Sequence, residues 1–77
     1  MTANERIAEL VNPEYTKRIP SFVRGHAAKA TCGVIERDFP EIYEVFNREE
    51  EPDADAKSQM SLIVNDIYRE HMAKHGL

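Results

Sequence analysis

Three histidines, one cysteine and fourteen carboxylates are the groups in this 77-residue chain that can hold a metal, act as nucleophile or move a proton. His71 and His75 are four apart, a spacing that puts both imidazoles on one side of a helix and suits two ligands of a zinc site. A stable zinc site takes three or four ligands, so His26, Cys32, Asp66 or Glu70 would have to complete the set. No cysteine pair exists, and His75 stands one residue before Gly76, where a helix end frays. The two histidines read instead as side chains favoured by the negative end of a helix dipole, and neither metal nor cofactor is expected.

Nucleophilic chemistry would need Cys32 beside a base. His26 is six residues away, about 120° around an ideal helix, and does not meet it without a bend. His71 would reach Cys32 only across a helix crossing, and a chain this short has little material for an oxyanion pocket. Cys32 therefore reads as a small apolar residue. Glu36 with Asp38, and Asp66 with Glu70, are candidate cation ligands, but neither follows the ligand order of a calcium loop. The chain has no Glu-x-x-His pair of the kind di-iron bundles use, and Gly25, Gly33 and Gly76 are isolated rather than gathered into a phosphate loop. No enzymatic activity and no small-molecule substrate are expected.

Charge is the stronger signal. The net charge is -4, with a pI near 5.3. Residues 17–35 carry +4 (Lys17, Arg18, Arg24, Lys29), whereas residues 36–55 carry -7. The basic segment could serve a regulator that grips phosphates through Arg24 and Lys29. The acidic run could instead imitate phosphates and occupy a nucleic-acid-binding partner. Overall acidity weighs against the first use, so nucleic acid is an unfavoured partner.

The elements that must position these groups follow from caps and periodicity. Thr2 and Glu5 match a capping box, and Ile7, Leu10 and Val11 continue a helix over about residues 3–11. Asn12-Pro13-Glu14 ends that helix and starts another turn. From Pro20 to about Arg37, Phe22, Val23, Ala27, Ala30 and Val34 share one side of a helix, with a bend or break foreseen at Gly33 and a close helix crossing near Ala27 and Ala30. Cys32-Gly33-Val34-Ile35 is too short for periodicity to separate helix from strand. Pro40 opens a helix whose stripe is Ile42, Tyr43 and Phe46. After a polar linker over residues 47–55, Asp53 or Asp55 caps a final helix running from about Ala54 to Lys74 and closed by Gly76 in a left-handed conformation. Its inner face reads as Ala56, Met60, Ile63, Val64, Ile67 and His71.

This pattern predicts one all-α domain over residues 1–77, a small bundle of three to five helices with the longest at the C-terminus. No apolar stretch approaches the roughly 20 residues that span a bilayer. The N-terminus lacks the basic-then-apolar order of a secretory signal, and one cysteine cannot form an internal disulfide, so a cytoplasmic location is expected. Eight of the apolar residues are alanines, which leaves a modest core, and surplus apolar side chains remain. The expected function is that of a small non-enzymatic interaction or regulatory protein that binds a protein partner or a second copy through a helical face. The surface residues assigned to that face are Leu62, Tyr68 and Met72 on the last helix and Tyr43 on the one before it, with Arg24 and Lys29 supplying charge.

Overall fold

In the computed structural model, which describes residues 2–76, five helices follow one another: α1 (Ala3–Ala8), α2 (Pro13–Arg18), α3 (Ser21–Asp38), α4 (Pro40–Asn47) and α5 (Ala54–Lys74). The all-helical bundle and its long C-terminal helix agree with the sequence pattern. At 1.5 Å per residue α5 is about 31 Å long, close to the 35 Å long axis of a molecule 20 Å wide in the other two directions. It is the spine of the fold.

Local chemistry accounts for most helix ends. Thr2 and Glu5 form the reciprocal capping box. Asn12 accepts from the Glu14 backbone N–H, and Pro13 supplies the first helical residue of α2. Asp53 accepts from the Ala56 N–H to start α5, and Gly76 at φ 69° follows its end. Two boundaries depart from expectation. α1 stops at Ala8, where Leu10 and Val11 turn tightly by donating to the carbonyls three residues back. α3 runs unbroken past Gly33 and includes Cys32 to Ile35.

The core joins Ala3 and Ile7 of α1, Ile19 of the α2–α3 connection, Cys32 and Ile35 of α3, Phe46 of α4, and Met60, Val64 and Tyr68 of α5. Ile19 lies just before α3 and closes its N-terminal end. The inner row of α5 is Met60, Val64, Tyr68 and Met72, rolled away from the expected stripe, so that His71 is exposed rather than buried. On α3 the buried side is Thr31, Cys32 and Ile35, and Phe22, expected inside, is 87% exposed. The helix carries apolar residues around much of its circumference, and contact with α1, α4 and α5 selects the side that is buried.

Two polar clamps hold the short elements. Arg6 donates from one guanidinium to the carbonyls of Phe46, Arg48, Glu49 and Glu50 at 2.6–3.1 Å, fixing the end of α4 and the following loop to α1. The Asn65 side chain accepts from the Asn12 N–H at 2.7 Å and donates to the carbonyls of Leu10 and Ser61, which ties the α1–α2 junction to α5.

Candidate functional site

α3 and α5 run antiparallel. The N-terminal half of α3 lies beside the C-terminal half of α5, and Asp38 at the other end lies near Gln59 and Ile63. Of the two alanines expected at a close helix crossing, Ala27 is half-buried and Ala30 is exposed. Between the two helices is a cavity of about 390 Å³ lined by Ile19, Val23, Ala27, Ala30, Tyr68 and Met72, with Thr31 and the three histidines completing the wall. Small side chains at 27 and 30 widen the space that a larger residue would fill. A second cavity of about 300 Å³ lies on the far side of Ile19 and Tyr68, bordered by Arg24, Gly25 and Ala28.

The assigned surface residues divide in a way the sequence did not foresee. Tyr68 and Met72 are 7% and 5% exposed, so they form the floor of the groove rather than a protruding patch. Both are corrected to buried residues. Burial pushes the Tyr68 phenol above its ordinary 10; Cys32 adds to the rise and a hydrogen bond with Thr31 opposes it. Lys29 is exposed next to Ala30. Arg24 is exposed, yet its Nε donates to the carbonyls of Thr16 and Ile19, both at 2.9 Å, where it closes the end of α2. Leu62, 71% exposed, borders neither this groove nor the cavity beside it. Tyr43 is half-buried, and its hydroxyl donates to Asn4 at 3.0 Å, so it joins α4 to α1.

Every histidine of the chain, His26, His71 and His75, lines the groove. The rings of His71 and His75 are 6.1 Å apart, edge toward face. Among the described residues no three His, Cys, Asp or Glu side chains are placed to hold one metal ion. Cys32 is buried, and burial raises its thiol above the ordinary 9.0, away from the thiolate that nucleophilic chemistry requires.

Carboxylates are unevenly placed around the cavities. Neither cavity at the α3 N-terminal end has a carboxylate in its lining. At the opposite end Glu41, Glu50, Glu51, Asp53 and Asp55 surround one depression, and Asp38 borders the next. Two of these acids have partners: Asp38 pairs with Arg37 and Glu51 with Lys57, each at 2.9 Å, and the hydrogen bonds within each pair lower the pKa of both carboxyls. Among the described residues no helix is long and apolar enough to cross a membrane.

Sequence reasoning missed Ile19 and Ala30 as groove walls and missed the two clamps. The signal for the groove lies in the alanines, whose small side chains fit a close crossing, a strong helix former or an open gap equally well. The clamps bind main-chain carbonyls and leave no side-chain pattern to detect. No family model, curated protein or solved structure matches the chain.

Proposed function

We propose that the protein is a small, cytoplasmic, non-enzymatic interaction or regulatory protein that seats a protein partner in the groove between α3 and α5. The observation that carries this reading is a mainly apolar cavity of about 390 Å³ between α3 and α5, lined by Ile19, Val23, Ala27, Ala30, Tyr68 and Met72. A concave apolar floor with a few polar side chains at its wall is the usual anatomy of a docking site. The non-enzymatic part rests on the state of the groups that chemistry would use: the Cys32 thiol is buried, and Asp38 and Glu51 are paired with cations. The nucleic-acid reading of residues 17–29 has less support, because the Arg24 Nε is taken by main-chain carbonyls and Lys17 lies 3.9 Å from Glu14.

The test is native mass spectrometry of the untagged protein isolated gently from its own host, compared between wild type, Ala30→Glu and Leu62→Glu. Both sites are exposed, so neither change disturbs the core. Wild type and Leu62→Glu should carry a stoichiometric added mass that Ala30→Glu lacks. An added mass that survives Ala30→Glu, or a bare 8.8 kDa wild-type species, would overturn the proposal.

A further inference from the structure

We infer that the α3–α5 face is covered by a second copy of this chain, related by a two-fold axis that passes near Ala30 and sets α3 antiparallel to its counterpart. The inference rests on the docking reading above and names the occupant. Its basis is that one copy carries both halves of the contact. Of the three large apolar side chains that stand exposed among the described residues, two mark the ends of α3: Phe22 in the first turn, 87% exposed, and Phe39 at the C-cap, 42% exposed. Seventeen residues of helix separate them by about 25 Å, and Ala30 lies midway. The face between them has a depression at each end. The groove of about 390 Å³ occupies one, and a second depression of about 390 Å³ the other, bordered by Asp38, Phe39, Ile42, Gln59 and Ile63. A row of α5 at four-residue spacing joins the two: Gln59 and Ile63 line the second, His71 and His75 the first, and half-buried Ile67 stands between. On α3 the facing row is Val23, Ala27, Ala30 and Val34. Phe22 is four residues before the lining His26 and so shares its side of the helix.

Rotation about an axis at Ala30 exchanges the two ends. Phe22 then meets the partner's Phe39 in its depression, Phe39 reaches the mouth of the partner's groove, and each contact occurs twice. The small, exposed Ala30 lets the two α3 backbones approach at the axis. The polar groups that line the two depressions also match: His26, His71 and His75 are brought toward the partner's Asp38 and the partner's Glu41, with ring N–H groups donating to carboxylates. Arg37, seven residues after Ala30 and on its side of the helix, is paired with Asp38 at 2.9 Å. Lys29 lies about 100° around α3 from Ala30, at the margin of the contact, where its long side chain reaches water. The sizes agree as well. The chain exposes 5374 Å², roughly 600 Å² more than a monomer of 8.8 kDa is expected to show. A flank of 35 by 20 Å is close to the roughly 800 Å² that each partner gives to a stable interface.

The experiment is sedimentation velocity of the untagged chain from about 1 to about 500 µM, spanning moderate to weak affinities, with isotope-filtered NOE spectroscopy of mixed labelled and unlabelled protein. Phe22→Ser, Phe39→Ser, Ala30→Glu and Leu62→Glu are compared with wild type, each checked for unchanged helicity by circular dichroism. Wild type and Leu62→Glu should shift from the 8.8 kDa monomer to twice that mass over this range. Phe22→Ser and Phe39→Ser should each weaken the dimer at least tenfold, and Ala30→Glu should stay monomeric throughout. Cross-copy NOEs should join the rings of Phe22 and the partner's Phe39, which are too far apart within one copy to give any. Should Phe39→Ser lose helicity, Phe22→Ser decides alone, because that side chain is in water in the monomer. A dimer indifferent to Phe22→Ser and Ala30→Glu, or one without the aromatic contact, would overturn the inference. A monomer at every concentration would also overturn it. The docking reading then stands if native mass spectrometry finds a foreign subunit that Ala30→Glu removes, and falls if it finds none.

Discussion

Arg6 is the residue on which two distant stretches of chain depend. Its guanidinium satisfies four carbonyls from Phe46 to Glu50 that the end of α4 would otherwise leave to water. Hydrogen bonds from a charged donor contribute more than neutral ones, so Arg6→Met, which keeps the aliphatic stem, should destabilise the protein by about 2 kcal/mol in urea unfolding. Arg6→Lys should recover only part of this, because an ammonium lacks the planar fork that reaches several carbonyls at once. Equal midpoints for all three proteins would show that the clamp contributes nothing. Glu5 gives a pH-dependent counterpart. The side-chain and backbone hydrogen bonds from Thr2 hold its carboxyl below the ordinary 4.5. A folded pKa below the unfolded one means that the stabilisation is present above about 4.5 and lost as pH falls through the folded value. Glu5→Gln should therefore melt below wild type at pH 7, with the gap closing as pH falls through the folded value; a gap that persists once the carboxyl is protonated would exclude the carboxylate charge as its cause.

At the level of elements, the helices whose ends carry caps were legible and the faces they bury were not. Both ends of Ala54–Lys74 are legible because an aspartate cap, Asp53 in the structure, and Gly76 mark them chemically. The same helix has Leu62, Ile63, Val64, Ile67, Tyr68 and Met72 spread over a wide arc, and only the position of α3 decides that Tyr68 and Met72 lie inside. α3 was harder still. Phe22 and Ile35 are equally apolar in sequence, yet one is exposed and the other buried, according to where α1 and α4 pack. The candidate site shares this difficulty: Tyr68 and Met72 line the groove, whereas Lys29, Leu62 and Tyr43 do not. Gly33 offers a clean test of α3 as a continuous helix, since a Cβ there meets nothing within 4 Å. Gly33→Ala should stabilise by about 1 kcal/mol, raising the thermal midpoint by about 5 °C. A lower midpoint would mean that the helix bends at this point in solution.

On the scale of the whole molecule, 77 residues support a core with little reserve. Ile35 is fully buried where α3 enters that core, and Ile35→Ala should cost about 3 kcal/mol, a large share of the stability available to a domain of this size. Differential scanning calorimetry should show a broadened, low-temperature transition; an unchanged one would place the main packing elsewhere. The fold spends its apolar side chains around α5 and leaves a groove open at the end where carboxylates are sparse. Glu41, Glu50, Glu51, Asp53 and Asp55 gather instead around a separate depression between α4 and the start of α5. The claim that the α3/α5 groove is the binding surface is tested most directly by hydrogen–deuterium exchange of the protein alone and in its native complex. New protection is expected over residues 22–31 and 68–75, with residues 43–58 unchanged. Protection confined to residues 43–58 would contradict it and move the interface to the acidic end.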